Sequence, residues 1–415
     1  MKSLLYLAVL LAGCVEHKDG LTGTQSIEVA IVAPTSVGSV NVRLPDSQRD
    51  VTVDLTAKDA DGEVDTSFTA TIRVYAQFLG TLTPRLDQTP LATIQMTNGV
   101  ANDATITLPD SVLGPTTLWF DNGTGFGPDY MHGLVTGTSP TLWFRDPYIT
   151  DLQRPRDEMA VDALSLTPLT DKQIAVSDSR YGDDGRLVVT SVFAQGYTVS
   201  DVQCGPGGAP PCTAAAYDHV MVFTFSAARD QSRRPLEVGD LVERFNGGLS
   251  EFNGLTEVGF PRTFVPVKLD PDTGLPVLDP QTGLEVVAPD TNPARLPAPV
   301  RVDPATWFGP LSTGNGVINF ERNEAGAIEI VNAKVCPIDD DYTTYKQWKL
   351  DPAGASGSCG RDVINVITQG TDFSTDPTTL AGRVLPRVVG ILRPVNIGSF
   401  NVWIMYPRGA SDIQL

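Results

Sequence analysis

"VGDLVERFNGGLSEFNGLTEVGFP", running from Val238 to Pro261, holds a β-prone strand, a Gly247-Gly248 break and the dipeptide Asn253-Gly254. Asn-Gly between apolar runs is the strongest short-range hairpin signal, because both residues accept the positive φ of a type I′ turn. A two-residue loop there sets Phe252 opposite Leu255, Glu251 opposite Thr256, and Ser250 opposite Glu257. Side chains alternate along a strand, so Glu251 and Glu257 point to opposite faces. Carboxylates on opposite faces cannot share acid–base work on one substrate. The hairpin therefore reads as architecture, with Glu251 and Thr256 as a candidate ligand rim. Gly247-Gly248 inside the strand predicts a bulge or sharp coil, which a small barrel needs to bend a strand from one side to the other.

Working outward, the chain reads as mainly β. Residues 25–146 carry alternating stretches such as "SIEVAIV", "VTVDLTAKD", "TATIRVYAQF" and "TTLWFDNG", separated by turns at Asp61-Gly62 and Asn98-Gly99. Short strands at this spacing predict an antiparallel β-sandwich, and the region resembles the immunoglobulin-like modules of bacterial surface proteins. Residues 147–167 lose the alternation, gain charge and proline, and read as a linker. A second β-rich region spans 168–415, interrupted over 262–300 by a proline-rich insertion with the near-copies "DPDTGL" and "DPQTGL". Proline at that density forbids ladder pairing, so the insertion reads as a surface excursion. The 32 prolines and 38 glycines argue against long helices.

"GYTVSDV" (Gly196–Val202), the opening hairpin and "ERNEAGAIEIVNAKVC" together resemble the OB-fold-like modules that accompany secreted bacterial nucleases and phosphoesterases. The positions that carry the likeness are Gly239, Asp240, Glu251, Phe252, Gly254, Thr256 and Glu257, then Glu321, Gly326 and Ile328. The ending "MYPRGASDIQL" is similar to the close of such modules. The resemblance implies an Ig-like β-sandwich followed by an OB-fold-like β-barrel module with the proline-rich insertion. It also carries an alternative function, an extracellular nucleic-acid-processing enzyme or its accessory subunit with an oligonucleotide-binding barrel. The chemistry of that family lies in its nuclease domain, and none of its signature is in this chain.

"MKSLLYLAVLLAGC" places an apolar run behind Lys2, too short for the roughly 20 residues of a membrane span but suited to an export signal. Its end, Leu11-Ala12-Gly13-Cys14, resembles the lipobox of bacterial lipoproteins. This implies a signal peptide over 1–13, a palmitate-bearing lipid anchor at Cys14 and a polar tether over 14–24. By resemblance to the enteric sorting rule, Val15 after the cysteine favours the outer membrane. Lipidation of Cys14 leaves Cys204, Cys212, Cys336 and Cys359, which permit three pairings. The Pro/Gly-rich loop "CGPGGAPPC" brings its own ends together, which favours Cys204–Cys212 with Cys336–Cys359, kept in an oxidising compartment. Neither pair has the close spacing of a zinc site.

The formal charge of −19 lacks the basic footprint of a general nucleic-acid or anionic-lipid binder. His17, His132 and His219 are too few and too scattered for a multi-histidine metal site, and no G-x-S-x-G elbow or Walker loop is present. No cofactor is called for. Ca²⁺ is a weak option at the acidic turns 58–65, 270–274 and 338–342. The stretch Arg383–Arg408 is the basic one: Arg383, Arg387, Arg393 and Arg408 stand there with Phe400, Trp403 and Tyr406 and no acidic residue. Arg383, Arg387, Arg393, Trp403 and Arg408 thus join the candidate rim, against a plainer reading of a core strand with arginines at its ends. The sum is a non-enzymatic, lipid-anchored cell-envelope protein that binds a partner protein or an extracellular polymer, with nucleic acid disfavoured by charge.

Overall fold

The computed structural model describes residues 23–83, 89–123, 134–158, 167–308, 315–397 and 400–415. Cys14, His17 and His132 lie outside the described residues, as do the signal peptide and most of the tether. The chain divides into two compact units, Met1–Arg145 and Asp146–Leu415. It is mainly β, as its sequence pattern requires. Among the described residues no helix is long and apolar enough to cross a membrane.

The first unit is a β-sandwich. One sheet orders Ser26–Ala33, Asp50–Lys58 and Val100–Thr107; the other is built on Ala70–Phe78 and Pro115–Asp121. Alternation produces the core directly: Val51, Val53, Leu55 and Ala57 from one strand meet Ile72, Val74, Leu118 and Phe120 from the facing sheet. Apolar residues at every second position bury one face and leave the other polar.

The second unit holds the barrel, and the chain builds it twice. The first uses β1 (Gly185–Phe193), β2 (Gly196–Gly205), β3 (His219–Phe223), β4 (Arg244–Phe252) and β5 (Leu255–Phe264). They pair in the order β1-β2-β3-β5-β4, and the Leu241–Val242 segment leading into β4 returns to β1 and closes the ring. The β3–β5 pair is parallel and the others are antiparallel. The second barrel follows with β6 (Ala327–Val335), β7 (Gln347–Asp351), β8 (Ile364–Ile367), β9 (Val384–Ile397) and β10 (Phe400–Tyr406). It repeats the order β6-β7-β8-β10-β9, closes through β6–β9, and again has one parallel pair, β8–β10. Closure removes sheet edges. The OB-type barrel is therefore present, and the segment expected to complete it instead opens a second one.

The opening hairpin folds in the register its Asn-Gly turn dictates: Phe252 faces Leu255, Glu251 faces Thr256 and Ser250 faces Glu257. Asn253 and Gly254 take φ of 54° and 80°, the type I′ signature. The register shifts between Asn246 and Gly248, the bulge that the paired glycines predict. Cys204 bonds to Cys212, and Cys336 to Cys359.

The proline-rich excursion differs from expectation in one respect. It forms no extended strand between Phe264 and Val300, yet it does pair, through the single bridges Val267–Val287, Leu269–Pro276 and Leu278–Glu285. Its near-copies fold alike. Asp270 Oδ1 accepts from the Asp272 and Thr273 amides, and Asp279 Oδ1 from those of Gln281 and Thr282. An aspartate that satisfies two turn amides needs no ladder to hold its turn.

Candidate functional site

The two barrels meet along a seam, and the hairpin tip lies in it. Ahead of β6 stands the short helix α2 (Asn315–Glu321), preceded far upstream by α1 (Ile149–Gln153). The turn after α2 carries Glu324, whose Oε1 accepts the Thr256 amide at 2.9 Å. The Thr256 hydroxyl donates to Glu251 Oε1, and the Gln153 amide lies against Glu324. Burial pushes the Glu251 carboxyl up to about 8 and the Glu321 carboxyl up to about 9. Burial first, then the charges of Glu321 and Glu251, raise Glu324 well above the carboxylate range. Three acids this close cannot all ionise, and burial favours their protonated forms.

Of the two rim candidates in the hairpin, Thr256 is fully buried in the seam, whereas Glu251 is half-buried and accepts the Thr256 hydroxyl. His219 is also interior. Its Nδ1 lies 2.7 Å from Ser200 Oγ, and burial lowers its pKa to about 4. This serine beside a neutral imidazole is out of reach of any substrate, because both are buried and Gly326 closes over the ring. A Cβ on Gly326 would fall 2.4 Å from His219 Cδ2, so only glycine permits that approach.

On the other side of the seam a cleft of about 320 Å³ opens between the β1–β2 turn, the end of β8 and the strands β9 and β10. Phe193, Gln195, Phe223, Gln369, Arg393 and Tyr406 line it. The Arg393 Cζ lies 4.9 Å from the Tyr406 ring centre and 5.6 Å from that of Phe193. The two rings meet edge-on at 6.3 Å. Beneath them Met221, Leu255 and Ala325 form the apolar floor of the seam. Each cation–ring contact contributes about 0.5–1 kcal/mol, enough to fix the guanidinium's orientation.

The basic C-terminal run is therefore divided by the fold. Arg393 and Arg408 reach the cleft with Tyr406, although Arg408 is spent on a bidentate pair with Asp412. Arg387 pairs with Glu329, Arg383 stands exposed before β9, and Trp403 stacks on Phe320 at 5.4 Å. Those three are corrected: they make no common platform. A larger groove of about 640 Å³ runs over the second barrel, but Asp303 within it caps its own helix.

The acidic turns use their oxygens locally. Asp59 and Asp270 accept turn amides, and Asp339 and Asp341 hold Lys349. Among the described residues no group of three or more His, Cys, Asp or Glu side chains is arranged to hold a metal. Sequence reasoning missed Glu324, Phe193, Gln195 and Gln369. A signal existed only for the acids: Glu321 ends a helix, where the partial negative charge of the C-terminus disfavours a carboxylate. No family model, curated protein or solved structure matches the chain.

Proposed function

We propose that this is a non-enzymatic, lipid-anchored protein of the cell envelope, a binding module whose inter-barrel cleft takes a partner protein or an extracellular polymer. The observation that carries the reading is the cleft itself, an oriented guanidinium between two aromatic rings on rigid strands. Buried Glu324 bonds to the hairpin amide of Thr256, which supports an architectural role for this part of the seam. The anchor rests on the lipobox-like Leu11–Cys14, and the outer membrane on Val15.

Fractionation of cells fed labelled palmitate tests the anchor: wild type should carry label in the membrane pellet and Cys14→Ser should lose both. Envelope cross-linking and pull-down with wild type and Gln369→Ala tests the cleft, and equal recovery of the same partner would refute it. The alternative, an accessory to extracellular nucleic-acid processing, draws on the OB-type strand order and the ring-stacked Arg393. Hydrolysis of DNA or phosphoesters with added divalent metals would favour it.

A further inference from the structure

Half-buried Arg393 has its Nε buried without a hydrogen-bond partner among the described residues. A buried donor left unpaired costs about 1–3 kcal/mol, so a rigidly held one marks a place where an acceptor belongs. Glu257 is buried; burial raises its carboxyl and the Arg393 charge offsets part of that rise. The Nε donor nonetheless lacks an acceptor. Around it Gln195 and Gln369 offer amides, and Phe193, Phe223 and Tyr406 apolar ring surface.

From this we infer that the cleft binds an acidic sugar unit, its carboxylate on Arg393 and its hydroxyls on the two glutamines; this rests on the binding reading above. One cation whose Nε lacks an acceptor matches one negative charge. A phosphate chain would want several, and here Arg408 is already neutralised by Asp412 and the chain carries a charge of −19. At about 320 Å³ the cleft lies at the small end for ligand pockets, a space for one or two rings rather than a long segment. Hydroxyl-rich rings also use both the amides and the aromatic surface, whereas a peptide carboxylate is commonly captured by backbone amides.

The test uses the full-length protein in detergent and calorimetric titration with four probes: free glucuronate, a glucuronate-containing tetrasaccharide, its carboxyl-reduced counterpart, and a dinucleotide. The tetrasaccharide should bind, and carboxyl reduction should weaken it at least tenfold. Arg393→Gln should give the same loss on the acidic probe and leave the reduced one unchanged, while Arg393→Lys recovers part. Binding of free glucuronate as tightly as the tetrasaccharide would identify a monosaccharide ligand and still support the site. Equal binding of acidic and reduced probes overturns the carboxylate assignment, and if Gln369→Ala weakens both, the cleft survives as a neutral-sugar site. Preference for the dinucleotide overturns the sugar assignment. No binding of any probe overturns the inference, and the pull-down with Gln369→Ala then decides the binding reading separately.

Discussion

Glu324 accepts the backbone amide of Thr256 across a sequence separation of 68 residues, so the hairpin tip of one barrel is completed by the turn that introduces the next. An amide buried in a seam must find an acceptor, and here the acceptor is an acid whose pKa is raised first by its burial and then by the charges of its neighbours.

Raised carboxyls of this kind give a pH dependence with a definite sign. Glu251 and Glu321 rise from an ordinary value of 4.5 to about 8 and about 9 in the folded protein. Between those limits the native state holds protons that the unfolded chain releases. Their contribution is therefore complete below 4.5, declines as pH rises through that window, and is gone above 8 and 9. Glu321→Gln should flatten this slope. Urea denaturation of both proteins at about pH 5, 7 and 9.5 measures it, and parallel slopes would contradict the assignment.

Hairpin substitutions separate architecture from recognition. Glu251→Ala should leave binding at the cleft intact and cost about 1 kcal/mol through the lost Thr256 hydrogen bond. Gly254→Val should cost more, about 1–3 kcal/mol, because a β-branched residue is forced to φ of 80°. Thermal melts beside a binding titration read both. Lost binding with an unchanged melt in Glu251→Ala would place that residue at the ligand after all.

Reduction should destabilise the second unit. The Cys336–Cys359 bridge spans 23 residues, for which loop-closure entropy gives about 3 kcal/mol. Denaturant unfolding of Cys336→Ala/Cys359→Ala against wild type measures this, and alkylation under denaturing conditions should find none of the four cysteines free.

The duplicated turns make a fourth, local prediction. Asp270→Ala and Asp279→Ala should each speed amide exchange in their own turn, at Thr273 and Thr282, and leave β4 and β5 protected. Exchange spreading from one turn into the barrel would show that the excursion is not held by its own hydrogen bonds.

Much of this fold is legible in the sequence because it is local. The sandwich strands declare themselves through alternation, and Asn253-Gly254 sets its register without help from the rest of the chain. The second barrel is hidden for the opposite reason. Its identity rests on pairings such as Val331 with Arg387, which leave no mark on neighbouring residues. The site divides in the same way. Arg393, Tyr406 and Arg408 stand out as a basic aromatic run, whereas Phe193 at the end of β1 and Gln195 in the turn after it become partners only when the barrels meet. The hairpin displays the chemistry of position 256 but not its burial, since Glu324, which takes its amide, arrives from the following module.

Barrel closure also has a kinetic side. Leu187 must wait for Val242, and Met221 for Glu257, before the first ring is sealed. Distant pairings of this kind slow folding to the order of milliseconds to seconds, and until then each strand is an open template for another. Two rings of identical order on one chain invite strand exchange. The excursion between them, secured by its own turns, delays the emergence of β6 during synthesis until all five strands of the first ring are available to one another.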